Sequence, residues 1–201
     1  MGYHRDVATE PMIKGGMLRE FIAWYGNTHG EERMRLLATQ LPEDLRSYVD
    51  PDQPLVNVLA ASWYPARLTH VILDAVTEGM TEAEILKLAH DSNRSIVERG
   101  MSSVYRFALD KLVTPEMYAV SISRLWRQVH STGEREIKVT SKNGAKSIVR
   151  KWPGHHPVLC TIAIETMCAV FEYMGKKEVR WTRTSCVSRG GTECVTLLQW
   201  K

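Results

Sequence analysis

Four cysteines, Cys160, Cys168, Cys186 and Cys194, carry most of the chemistry that residue type and spacing suggest. Cys186 and Cys194 flank an Arg-Gly-Gly turn in "CVSRGGTECVTLLQW", and Cys160 and Cys168 lie in the apolar stretch "HHPVLCTIAIETMCAVFEYMG". Residues on paired strands beside a short hairpin loop come close in space, and a helix packed on those strands brings Cys160 to the same end. Three thiolates meeting there would make a tetrahedral zinc site, given a fourth ligand. No Cys-x-x-Cys knuckle is present, so the spacing alone also suits reduced core thiols, and a disulfide or redox pair stays open.

Other residues hold weaker promise. Glu165 lies in the most apolar helix, but with Thr161 and Glu172 it forms one helical stripe, which reads as a solvent-facing edge. His155 and His156 precede that helix beside Pro157, as ligands, proton carriers or plain capping and surface residues. Trp63 and Trp126 read as helical and as candidate walls of a ligand pocket. The glycine pairs lack the context of a phosphate-binding loop, and neither a nucleophile elbow nor a His-Glu-x-x-His helix occurs, so no enzyme is expected.

The elements that must position these residues change period along the chain. Up to about residue 132 apolar residues recur at helical spacing, with a capping box at Thr81 and Glu84 and a cap-plus-proline start at Thr114-Pro115. The stretch from Thr81 to Leu112 reads as one long helix kinked at Gly100. Beyond Gly133, "EREIKVTS" and "AKSIVRKW" alternate with period two around Asn143-Gly144, and "KKEVRWTRTSCVS" and "TECVTLLQW" do the same across Gly190-Gly191. The expected fold is α+β, with a helical N-terminal two thirds packed on an antiparallel sheet of two β-hairpins bridged by one helix. It reads as one domain over residues 1–201, with 1–132 mainly helical and 133–201 a β-β-α-β-β unit.

Composition fits an ordinary globular core, at 44% hydrophobic and 24% charged residues over 201 residues. The net charge of +3 hides a split: residues 1–132 carry 14 Lys/Arg against 17 Asp/Glu, and residues 133–201 carry 12 against 6. The longest apolar run is too short to span a bilayer and includes Glu165, so no membrane insertion and a cytoplasmic protein with reduced thiols are expected.

A cysteine opening an apolar helix, followed by "YMGKKEVRWTRTSCVSRGGTECVTLLQW", resembles the end of the vinyl-reductase type of ligand-binding domain. That type belongs with the haem-nitric-oxide-binding domain and certain vesicle-tethering (TRAPP) subunits in one superfamily. "IKGGMLREFIAWYGNTHGEE" is similar to the way several such domains open, and "LP", "SWYPA" and "SRLWR" resemble an uncharacterised family expanded in myxobacteria. The resemblance implies zinc on Cys160, Cys186 and Cys194, but Arg183 stands where the family has its glutamate ligand. A fourth ligand would then come from His155, His156, Glu178 or Cys168. Haem-binding members carry a proximal His and a Tyr-x-Ser-x-Arg clamp. "YAVSISR" (residues 118–124) has the wrong spacing and His90 is the one His proposed as axial ligand, so haem is not expected.

The function expected on these grounds is a non-enzymatic sensory or adaptor module. It binds a small apolar ligand or a protein partner and acts through dimer or partner contacts in signalling or assembly. A structural scaffold without ligand is one alternative. A nucleic-acid binder using the basic C-terminal face, including Lys138, Lys146, Arg150 and Arg180, is a less favoured one.

Overall fold

The computed structural model describes residues 10–100 and 112–201, with the side chains of 98–100 also left undescribed. The turns that would follow the expected kink at Gly100 lie outside the described residues.

The chain opens with a short strand, β1 (Met12–Lys14), then α1 (Gly15–His29), α2 (Glu31–Thr39) and a single turn, α3 (Glu43–Arg46). A second short strand, β2 (Trp63–Pro65), leads into α4 (Ala66–Thr77), followed by α5 (Glu82–Gly100) and α6 (Pro115–Val129). β1 and β2 pair antiparallel, with Ile13 opposite Tyr64. Sequence periodicity runs both segments together with the helices that follow, so this pair is a correction. Gly15 explains why helix and strand meet there: a Cβ at that position would lie 2.2 Å from the Leu59 carbonyl oxygen. Trp63 accordingly sits on a strand rather than a helix, 37% exposed, with Lys14 Nζ 4.9 Å from its ring centre.

Both helix-start signals are realised. Thr81 and Glu84 close a reciprocal capping box, with the Glu84 carboxylate accepting from the Thr81 amide at 2.7 Å. Thr114 Oγ1 accepts from the Met117 amide ahead of α6, whose first residue is Pro115.

The C-terminal unit is β3 (Glu134–Ser141), β4 (Gly144–Arg150), α7 (Pro157–Tyr173), β5 (Arg180–Ser185) and β6 (Cys194–Gln199). The strands form one antiparallel sheet in the order β3-β4-β6-β5, so the last strand enters between the two hairpin arms. The observed fold is the α+β arrangement read from the sequence. One face of the sheet presents Ile137, Val149 and Leu198 to the core, and α7 lies across it.

α5 packs on the opposite side of α7, which is therefore apolar nearly all round and buried along most of its length. That packing also covers the Thr161–Glu165 stripe. Both residues are buried rather than solvent-facing, because α5 and β5 supply polar partners over them. Glu165 accepts from Trp181 Nε1 at 2.6 Å and stands 3.4 Å from both Arg94 Nη1 and His90 Nδ1. Among the described residues, no helix is long and apolar enough to cross a membrane.

Candidate metal centre

Three chain segments bring four ligand atoms together at one end of the sheet. After β4, "WPGHHP" turns on itself, with the His155 amide donating to the Trp152 carbonyl at 3.0 Å. His156 is the residue before α7, and Cys160 falls in the first turn of that helix, its amide donating to the His156 carbonyl at 2.8 Å. β5 ends in a bulge between Arg183 and Ser185, and Cys186 starts a short 3₁₀ turn, Val187–Arg189.

Gly190 takes φ +84°, and the Gly191 amide returns to the Cys186 carbonyl at 2.9 Å. A Cβ on Gly191 would lie 2.4 Å from Ser185 Oγ and 3.0 Å from the Cys186 carbonyl oxygen, so a side chain there would crowd the loop. Cys194 then opens β6, opposite Val149.

The result is a cluster of His155, Cys160, Cys186 and Cys194 whose ligand atoms all lie within 4.8 Å of one another. Cys186 Sγ is 3.5 Å from Cys194 Sγ and 3.5 Å from His155 Nε2. The three cysteines are buried, and His155 is partly exposed. Trp152 packs edge-on against the His155 ring at 5.3 Å and orients it.

The thiols already share their protons unequally. A hydrogen bond from Cys160 holds the Cys194 thiol well below the ordinary range, against the opposing effect of burial, and His155 and the Val187 amide add to it. Cys160 is pushed up by that same bond and by burial, with the Arg183 charge acting the other way. Thiolate is the form in which cysteine ligates a metal. Three thiolates and one imidazole are the donor set of a closed tetrahedral site.

The structure brings together the three cysteines singled out by the sequence, and of the four candidate partners His155 lies among them. His156 faces away, with Nε2 2.9 Å from Asp74 Oδ1 and its ring stacked on His70 at 5.0 Å. Glu178 pairs with Lys201 at 2.7 Å. Cys168 lies two turns further along α7, where burial, with Glu165 and Glu172 nearby, pushes its thiol up to about 12.

Arg183 is not a ligand. Its Nη2 donates to Thr161 Oγ1 at 2.9 Å, and its Nε is buried without a partner. Trp126 is buried, stacked on His130 at 4.0 Å and bonded to the Thr132 carbonyl, so it and the exposed Trp63 share no pocket.

No family model and no curated protein matches the chain. Solved structures do. An H-NOX protein from S. oneidensis in the Fe(II)NO ligation state aligns with TM-score 0.66 at 12% identity, covering 94% of this chain and 99% of that one. Fe(II) unliganded H-NOX from K. algicida gives 0.58 at 15%, covering 94% and 97%. An oxygen-binding H-NOX domain related to soluble guanylate cyclases, in its oxygen complex, gives 0.61 at 9%, covering 94% and 95%. At such identities the likeness is one of fold.

Two expectations are corrected by these neighbours. The vinyl-reductase resemblance gives way to the H-NOX fold, which the neighbours share over nearly the whole chain rather than over its C-terminal end. The reading that sets haem aside on motif spacing is also overturned, because the neighbours are described in Fe(II), NO and oxygen ligation states. They lend zinc no support.

Whether this chain can hold a haem is decided by its own side chains. His130 is buried with an unpartnered Nδ1, as an axial ligand would be, but Trp126 stacks on it and Trp152 packs edge-on at 5.3 Å. His90 lines an open cleft of about 640 Å³ that also holds Glu165, Glu172 and Glu178. Two haem propionates there would meet like charge, and Arg94 is already bonded to both Glu172 oxygens. Neither His130 nor His90, with the described residues arranged in this way, offers a haem site.

Proposed function

We propose that the chain is a non-enzymatic sensory module on the H-NOX fold, built around a transition-metal centre held by His155, Cys160, Cys186 and Cys194. It works as a single domain that passes its state to a protein partner or a second copy of itself. The observation that carries the reading is the convergence of three thiol sulfurs and one imidazole nitrogen within 4.8 Å. Soft sulfur ligands with imidazole favour a borderline or soft ion over a hard one.

The centre ties the helix-bearing core to the last hairpin. His155 and Cys160 belong to the entrance of α7, whereas Cys186 and Cys194 belong to the β5–β6 connection. A change in the metal or its ligands therefore alters how α7 sits on the sheet. The fold supports the sensory part: its neighbours include a domain described as related to soluble guanylate cyclases.

Elemental analysis of protein purified under reducing conditions tests this, with hemin titrated in parallel. The reading expects close to one equivalent of a single transition metal, lost in Cys186→Ser and in His155→Ala and kept in Cys168→Ser. Metal-free protein whose melting the substitutions leave unchanged would refute it. A stoichiometric Soret band on hemin addition would move the sensing group to haem.

A further inference from the structure

α1, α4, α5 and α7 converge on a second feature, a cavity of about 110 Å³. Leu18, Phe21, Leu73, Val97, Leu159 and Ile162 supply apolar walls. Three polar side chains also reach it: Thr69, Asn93 and Thr166. Two of them are engaged with each other and with the backbone. Thr166 Oγ1 donates to Asn93 Oδ1, and Asn93 Nδ2 donates to the Ala89 carbonyl at 2.7 Å and the Ile162 carbonyl at 3.2 Å.

Thr69 is different. It lies in the first turn of α4, 6% exposed, and its hydroxyl has no hydrogen-bond partner among the described residues. A threonine in a helix ordinarily satisfies itself on the carbonyl one turn back, as Thr77 does on Leu73 at 2.7 Å. A buried hydroxyl left unpaired is unfavourable until something in the cavity meets it. Water is the weaker candidate, because it needs about two to four polar partners and the donors of Asn93 and Thr166 are already engaged.

We propose that this cavity is a binding site for a small uncharged molecule of about four or five non-hydrogen atoms, apolar except for one oxygen or nitrogen that hydrogen-bonds to Thr69. The size follows from comparison, since an apolar cavity of roughly 150 Å³ takes up benzene or xenon. Among the described residues no charged side chain lines the space, which disfavours ions. Leu159 in its wall is next in the chain to Cys160, so the cavity and the metal centre share the first turn of α7. The inference rests on the sensory reading above and names the ligand class it would detect.

The test titrates full-length protein with 1-butanol, and separately with xenon, following the methyl resonances of Leu18, Leu73, Leu159 and Ile162. Both probes are expected to shift these signals. Thr69→Val should weaken 1-butanol about tenfold, the loss of one buried hydrogen bond, and leave xenon unchanged. Ile162→Phe should fill the space and abolish both. Should that variant fail to fold, the Thr69→Val comparison still decides.

Unmoved methyls with both probes, an ordered water only in a crystal soaked with 1-butanol, or equal butanol affinity in Thr69→Val would each overturn the proposal. Probe uptake by protein that lacks metal would refute the metal-centred reading alone. Metal in place without uptake would refute this inference alone.

Discussion

Cys186 Sγ and Cys194 Sγ lie 3.5 Å apart across a loop in which a side chain at position 191 would crowd Ser185 and Cys186. The loop is therefore shaped to bring two sulfurs together, and on the metal-centred reading its stability depends on the ion they hold. Gly191→Ala is expected to disrupt the loop and release the metal, because its Cβ would fall 2.4 Å from Ser185 Oγ and 3.0 Å from the Cys186 carbonyl. Metal content and melting measured together check this. A variant that keeps both would show that the loop has slack.

Chelation should destabilise the native protein. A ligand that binds only the folded state adds about 3–4 kcal/mol when its free concentration is roughly 100 to 1,000 times Kd. Denaturant melts with and without a strong chelator should differ by an amount in that range for the wild type and by nothing for Cys194→Ser.

Arg183 stands beside a centre that, with a divalent ion, three thiolates and a neutral imidazole, carries a net negative charge. Its guanidinium counters the effects that push Cys160 up. Arg183→Met should weaken metal binding by about tenfold or more, the range of outer-sphere substitutions. Arg183→Lys should recover part of the loss. Competition against a chromophoric chelator measures both, and equal affinity in all three proteins would assign Arg183 to packing only.

His130 makes stability pH-dependent in a defined direction. Burial, with the Arg135 charge adding to it, lowers its pKa from 6.5 to about 3. The fold therefore prefers the neutral ring. The stability this contributes is fully present above 6.5 and is lost as pH falls through 6.5 towards 3. Linkage caps the contribution at about 5 kcal/mol. His130→Phe should flatten the acid limb of the stability curve in that window, and a difference curve that does not change with pH would contradict the assignment.

The Glu165–Trp181 pair, a buried carboxylate meeting a half-buried indole, makes its own prediction. Glu165→Leu leaves Trp181 Nε1 without its acceptor at 2.6 Å, a cost of about 1–3 kcal/mol. In a double-mutant cycle, Trp181→Phe should recover part of that loss. Additive effects would mean that the two side chains are not coupled.

How far the sequence could be read varies with the kind of signal. The C-terminal hairpins, the capping box at Thr81 and the start of α6 were legible because turn, cap and period signals are local. The β1–β2 pair was not, since three-residue strands leave no alternation to detect. Glu165 was misplaced for a related reason. A polar stripe looks the same whether it faces water or, as here, Arg94 and Trp181, and only the packing of α5 distinguishes the two.

The cysteine trio could be anticipated from hairpin geometry. His155 could be proposed but not selected over His156, because the choice depends on which ring the turn at Trp152 aims inwards. Arg183 stands where the resemblance places a glutamate ligand, and the side chain that completes the cluster, His155, comes from another segment.

The most direct test of the metal-centred account is X-ray absorption at the edge of whichever metal copurifies with the protein. The account predicts a shell of three sulfurs and one imidazole nitrogen, from Cys160, Cys186, Cys194 and His155. A porphyrin's ring of nitrogens, a shell of oxygens, or no metal to measure would contradict it.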